Sequence, residues 1–385
     1  MASIVIAGDT SGSVTLAAPA VAGTTTITLP ATSGTLLQSG TTVTEAQGGT
    51  GTTTGYYGFK NRIINGDMRI DQRNAGASVT PIAQQYTLDR WVSNLSQASK
   101  FSVQQNAGSV TPPVGFTNYL GVTSLSAYSI TAGDYFSMYY QIEGLNVADF
   151  AWGTANAKTV TLSFQVYSSL TGTFGGVFQN SASNRSYPFT YSIPTANTWT
   201  TISITVAGDT GGTWLTTNGV GISIKFNLGT GSTYSGTAGA WANTNYQSAT
   251  GATSVVGTNG ATWYITGVQL EKGSTATSFD VRDYGRELML CQRYYQQFGS
   301  SAYPRIRGYG LASTETMATF PFATTMRAAP TGTLAGTWTA TNCSAPACGS
   351  TDTFGYETRT TVTSTAMFQY YCNGTTGFAT FSAEL

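Results

Sequence analysis

The chain contains no histidine. That absence excludes Ser-His-Asp and Cys-His nucleophilic sites, histidine general bases and histidine metal ligands. Charge is scarce: 17 basic and 17 acidic residues among 385, with a net charge of zero. No long-range field draws such a chain to nucleic acid or to an acidic membrane surface. No apolar run is long enough to span a bilayer. The opening MASIVIAGDTSGSV lacks the basic start and apolar run of a signal peptide. The expectation is a protein made in a cytoplasm that neither inserts into a membrane nor holds nucleic acid.

Cysteine is limited to Cys291, Cys343, Cys348 and Cys372. A Cys343–Cys348 or Cys348–Cys372 disulfide is open, but no spacing forces either. A four-thiolate zinc site lacks its usual short paired loops. The plainer reading is buried free thiols in a reducing compartment.

Gly, Thr, Ser and Ala dominate, with 22 tyrosines and 18 phenylalanines. Abundant Thr, Tyr, Val and Ile with few charges favour strands over helices, so the chain reads as all-β. Low charge also strips strand edges of their usual protection, and oligomerisation is one way to cover them.

Residues 1–58 read as an extended arm. Val14 and Leu16, then Ile27 and Leu29, are short apolar pairs in Thr-Gly-Ala-rich sequence. Such a segment has too little to bury to offset its own ordering entropy. Two readings stand: strand pairing with sister chains or a larger assembly, or an unstructured tail.

Residues 59–282 read as a β-sandwich. Apolar residues alternate at Phe136, Met138, Tyr140 and Ile142, and at Val160, Leu162, Phe164 and Val166. The pattern recurs at Tyr187, Phe189, Tyr191 and Ile193, at Ile202, Ile204 and Val206, and at Val220, Ile222, Ile224 and Phe226. Each set places apolar side chains on one strand face, and turn signals separate the sets. Many half-buried strands without alternating helices predict two packed antiparallel sheets, and closure as a jelly roll would protect their edges. Trp91 reads as a core anchor. Val268 and Leu270 read as inward residues of a closing strand, with Gly267 a bulge position.

Residues 283–298 carry the one helical pattern, within a junction over 283–300. Asp280 or Asp283 can cap it. Tyr284, Leu288, Cys291, Tyr295 and Phe298 recur at spacings of four, three, four and three. That spacing fits either a threefold coiled junction or an amphipathic helix laid on its own sandwich. Residues 301–385 form a further β-rich unit, marginal as a core by itself, which a trimer would complete.

Charge concentrates at the borders of the sandwich. Fourteen of the 34 charged residues fall in residues 60–73 and 271–293. The first window contains NRIINGDM (61–68), followed by DRW (89–91). The second contains GVQLEKGS (267–274) and RELMLCQRYY (286–295). In these strings the chain resembles phage tail-fibre and minor structural proteins, over a frame of roughly 240 residues. The Gly- and Thr-rich arm is similar to virion-anchoring segments, and FPFATTMRAAP (320–330) to C-terminal regions of the same group. The resemblance implies a jelly roll of the carbohydrate-binding-module kind in a homotrimeric virion appendage. Its partners would be other virion proteins, through the arm, and a glycan or protein of the host surface.

Sugar binding needs aromatic faces over C–H surfaces and nearby amide and carboxylate groups. The best supply is the long segment 229–260, with Tyr234, Trp241 and Tyr246 among Asn243, Asn245, Gln247 and Asn259. The competing reading is that Trp241 and Tyr246 tuck this segment onto the sandwich. Tyr119, Tyr128 and Tyr139 are further candidates. No cofactor is expected apart from a structural calcium, which the jelly-roll analogy suggests and to which Asp67, Asp134 and Asp280 could contribute. Asp67, Asp71, Asp89, Glu143 and Glu271 could serve a hydrolase. The carboxylates easiest to single out sit beside arginines, and no repeat of the long β-helical depolymerases is present. The functional expectation is therefore a tail fibre without catalysis. The alternatives are a purely architectural head, neck or collar fibre or decoration protein, and a polysaccharide depolymerase.

Overall fold

The computed structural model describes residues 3–7, 11–17, 59–299, 305–372 and 378–385. The chain divides into two units, residues 1–55 and 56–385. In the first, β1 (Ser3–Ala7) and β2 (Ser13–Ala17) form an antiparallel hairpin with Val5 opposite Thr15. The rest of the expected arm lies outside the described residues.

The second unit begins with a sandwich. Its strands are β3 (Gln85–Leu88), β4 (Trp91–Leu95), β5 (Phe101–Gln105), β6 (Leu120–Ser124) and β7 (Tyr135–Glu143). They continue with β8 (Val160–Ser168), β9 (Gly172–Gln179), β10 (Ser186–Ile193), β11 (Thr200–Val206) and β12 (Val220–Thr230). The short β13 (Ser235–Gly236) and β14 (Ser248–Ala249) pair in parallel, and β15 (Thr262–Lys272) ends the series. One sheet has the order β10-β9-β12-β7-β4-β3, the other β11-β8-β15-β6-β5. Both are antiparallel throughout, and the architecture is an all-β jelly-roll sandwich, with the two packed antiparallel sheets that the alternation predicts.

One continuous apolar core fills the space between the sheets. Phe226 on β12 stands near its middle, its ring 5.2 Å from Phe164, 5.8 Å from Trp263 and 6.1 Å from Trp91. The indole N–H of Trp263 donates to the Tyr191 hydroxyl (3.0 Å), and that of Trp91 to the carbonyl of Asn65 (3.1 Å). Both buried polar tips are thereby satisfied, as a dry core requires. On β15 the register slips between Thr266 and Gln269, where Gly267 adopts φ +62°. Past that bulge Val268 and Leu270 are both fully buried.

The helix α1 (Tyr284–Gln292) starts where expected: the Asp283 carboxylate accepts the N–H of Arg286 at 2.9 Å. It stops six residues early. Tyr295 and Phe298 lie in β16 (Tyr295–Phe298), so the five-residue seam does not run along one helix. The reason is a waiting partner: β24 (Phe378–Ser382) pairs with YQQF in antiparallel register, Tyr295 opposite Ser382. Tyr284 is exposed, whereas Leu288 and Cys291 pack with Ile64, Ile70 and Tyr294. Phe298 joins the aromatic cluster of Phe322, Tyr356 and Phe381. These contacts are those of a helix laid on its own chain.

The remaining strands are β17 (Arg305–Gly310), β18 (Glu315–Pro321), β19 (Thr331–Ala335), β20 (Trp338–Thr341), β21 (Ala347–Thr351), β22 (Gly355–Thr361) and β23 (Ala366–Cys372). They form three small sheets, β16-β24-β19, β17-β23-β20 and β18-β22-β21. Cys291, Cys343 and Cys348 are free thiols. Among the described residues no helix is long and apolar enough to cross a membrane.

Candidate functional site

The motif strings at the sandwich borders meet in space and bind each other. The Asn61 amide donates to the Val268 carbonyl (3.1 Å) and accepts the N–H groups of Ile63 (2.9 Å) and Leu270 (3.1 Å). Val268 N–H returns to the Gly66 carbonyl at 2.9 Å. A Cβ on Gly66 would come 2.2 Å from that same Val268 carbonyl oxygen, so only glycine fits. Arg282 donates to the carbonyls of Asn61 and Ile63 and pairs with Glu287, which accepts the Asn65 N–H. The Asn65 side chain holds the Ile70 N–H and carbonyl and the Asp89 carbonyl. These strings form a clasp whose buried polar groups bind one another.

The segment singled out for sugar contact lies against the sandwich. Trp241 is half-buried, with ring centroids 5.2 Å from Trp152, 5.4 Å from Trp214 and 5.1 Å from Tyr187. Its indole N–H is taken by the Ala207 carbonyl (2.9 Å). Tyr246 packs over Gly236, and Tyr234 meets Tyr135 edge-on at 5.6 Å. Asn243 accepts from Arg185 (2.7 Å), and Asn245 accepts from Gln179 (2.6 Å) and Gln247 (2.7 Å). The tucked reading therefore describes Trp241 and Tyr246, and the segment becomes a cover over β9 and β12.

What this segment borders is the outer face of the six-stranded sheet. There the side chains opposite the core stand in cross-strand rows. One row reads Pro188, Val177, Lys225, Tyr139, Val92 and Tyr86. Its neighbours read Ser186, Gln179, Ser223 and Gln141, and Asn227, Ser137 and Asn94. Tyr139 is half-buried and its hydroxyl shares a 3.1 Å bond with Ser223. Burial pushes its phenol up, so it stays neutral. Tyr86 bonds Gln141 (3.2 Å) and the carbonyl of Leu385 (3.1 Å). Lys225 is buried in the middle, held by Gln179 (2.8 Å) and Gln247 (2.6 Å). An aromatic ring flanked by hydroxyls, amides and an ammonium is the chemistry that recognises a sugar's C–H face and hydroxyls. Of the sequence candidates, Tyr139 is on this face and Gln247 reaches Lys225 from the covering segment. Tyr119 is core, stacked on Tyr264 at 5.1 Å, and Tyr128 donates to Asp134 at 2.9 Å. Lys225, Gln179 and Ser223 escaped sequence reasoning, although their alternation with Ile222, Ile224, Phe226 and Phe178 placed them outward.

The three aspartates considered for calcium do not converge, and among the described residues no group of three acidic or cysteine side chains is assembled for a metal. Asp67 pairs with Arg69 at 2.5 Å. Asp280 accepts the Asn61 N–H at 3.3 Å. Asp134 closes a turn, accepting the Thr131 N–H and hydroxyl, the Ser96 hydroxyl and Tyr128. Burial alone would raise its pKa, but these donors outweigh it and hold the carboxyl at about 2. The other carboxylates have internal partners too. Asp71 accepts the N–H groups of Asn74 and Gly76, and Asp89 that of Gln72. Glu143 is bound by Arg293 and Tyr294, and Glu271 by Gln269 and Thr277. A separate groove of about 360 Å³ lies on the β18-β22-β21 sheet, walled by Phe320, Pro321, Phe354, Asp352 and Glu357.

No protein-family model matches the chain, and no curated protein matches it. Among solved structures it is similar to the enzymatically active domain of tailspike protein 4 of bacteriophage CBA120. The identity is 13% over 55% of this chain, with a TM-score of 0.30. The chain covers 21% of that tailspike's length. It is also similar to the family 11 carbohydrate-binding module of Clostridium thermocellum, at 14% identity over 50% of this chain and 97% of the module, with a TM-score of 0.27. A third is the carbohydrate-binding module CBM6cm-2 of Cellvibrio mixtus lichenase 5A, at 17% identity over 51% and 97%, with a TM-score of 0.22.

Proposed function

We propose that this chain is a virion appendage, a phage tail fibre, that binds glycan on the host surface without catalysis. The observation that carries the binding role is the half-buried Tyr139 on the outer face of the six-stranded sheet, backed on a rigid scaffold by the buried Ser223, Lys225, Gln179 and Gln141. Rigid elements place such groups without an ordering cost on binding. The virion role rests on the resemblance of the clasp strings and the arm to phage fibres. In this reading residues 1–58 dock on the particle and three copies associate. Weak affinity per site is then multiplied by valency.

Glycan-array binding by the full-length protein, followed by Tyr139→Ala, tests the site. The variant should keep its melting temperature within a few degrees and lose most of its binding. Unchanged binding would remove this face from the proposal. Light scattering tests the assembly, and a stable monomer would overturn the trimer.

A purely architectural fibre is the second reading. It is favoured by one observation: several polar groups of the outer face already bond one another or the covering segment. It predicts no saccharide on the array.

A further inference from the structure

Lys225 is 5% exposed. Every other deeply buried cation of the sandwich and its clasp has a carboxylate: Arg62 with Asp149, Arg90 with Glu384, Arg282 with Glu287. Among the described residues no carboxylate forms an ion pair with Lys225. An uncompensated buried charge is costly, and a methionine would fill the same space without that cost.

The surroundings are organised around the charge. The Gln179 and Gln247 amides turn their oxygens to the ammonium, and their NH₂ groups both donate to Asn245 Oδ1. Asn245 thus fixes both amides in the one orientation that favours a cation. The Tyr139 ring centroid lies 4.8 Å from the ammonium. Burial lowers the lysine's pKa to about 8, so it remains largely charged at neutral pH.

We infer that Lys225 is the recognition point for an anionic substituent on a saccharide, namely a carboxylate, sulfate or phosphate carried by a sugar ring. The inference rests on the reading of this face as a glycan-binding surface and adds the class of glycan. The missing counter-ion comes from the ligand, and the half-buried Tyr139 beside the ammonium is placed to meet the sugar.

The test uses the full chain and matched pairs in calorimetry at neutral pH: trigalacturonate against its methyl ester, sialyllactose against lactose, 6-sulfated against unsulfated N-acetyllactosamine, and glucose 6-phosphate against glucose. The four pairs separate carboxylate, sulfate and phosphate. At least one acidic member should bind ten or more times tighter than its neutral partner, and Lys225→Met should bring that ratio close to one. A second readout needs no variant: in the unaltered protein the ratio should collapse between pH 7 and 9.5 as the ammonium deprotonates. The groups facing Lys225 are Tyr139 from β7, whose phenol burial keeps neutral longer, and the uncharged amides of Gln179 from β9 and Gln247 from the covering segment. Equal binding of acidic and neutral members overturns the inference and leaves the glycan reading standing. Binding of no saccharide, on these pairs and on the array, overturns both. A Lys225→Met protein that keeps its acid preference makes the lysine a strut for the covering segment.

Discussion

Arg90 and Glu384 stand 294 positions apart in the chain and form an ion pair with both side chains buried, at 1% and 5% exposure. Arg73 reaches the same carboxylate at 2.7 Å. Burial alone would weaken the charge on Arg90, but Glu384 outweighs it and holds the guanidinium firmly protonated. Glu384 is thus one anchor of the C-terminal strands on the sandwich, beside the Tyr86 bond to Leu385 and the Arg327 bond to the Asn218 carbonyl.

Glu384→Gln leaves Arg90 buried without its counter-charge. A loss of about 3–5 kcal/mol is expected, the usual result of removing one partner of a buried pair. Urea midpoints check it, and the double variant with Arg90→Met should recover a substantial part of the loss.

Asn65→Ala removes three hydrogen bonds of the clasp, to the Ile70 N–H and to the carbonyls of Ile70 and Asp89. Asn65 also holds φ +57°, a conformation asparagine tolerates better than alanine. A cost of about 2–4 kcal/mol follows from leaving buried groups unpaired. A fall in melting temperature checks it, and a change below about 0.5 kcal/mol would refute the clasp.

Trp241→Ala should act on stability. Its ring packs on Trp152, Trp214 and Tyr187, so truncation opens a gap worth about 3 kcal/mol. Glycan binding should weaken only as the covering segment loosens. A variant with unchanged melting temperature and abolished binding would make Trp241 a contact residue instead.

Asp134 carries a pH signature. Its folded pKa of about 2 lies below the unfolded value, so its contribution is full above about pH 4 and lost as pH falls through 2. Asp134→Asn should cost about 2 kcal/mol at pH 7 and little at pH 2. Chemical denaturation at both pH values checks the difference.

The sandwich was legible because β8, β10 and β11 alternate between a buried and a more open face, while β7 and β12, covered on both faces, still alternate apolar core-facing with polar outward-facing residues. Trp91 and the bulge at Gly267 were legible for local reasons, a large ring and a residue able to take positive φ. The helix end was not. Tyr295 and Phe298 continue a helical spacing, yet β24 offers them a ladder from more than 80 residues away, and tertiary pairing overrides local pattern. The role of Trp241 was equally hidden, since a covering segment and an open binding loop have the same Gly-, Asn- and Tyr-rich composition. Lys225 could be assigned to the outer face, but alternation says nothing about what covers that face or whether a carboxylate lies near.

The clasp has a consequence for synthesis. Asn61 finds its partner Val268 only 207 residues later. At about 5–20 residues per second, the ribosome delivers that partner roughly 10–40 s after the asparagine. For that interval the early strands sit beside the exit tunnel with their borders open. Chaperones that shield extended segments should thus crosslink to nascent chains halted before residue 260 and release those halted well beyond 290.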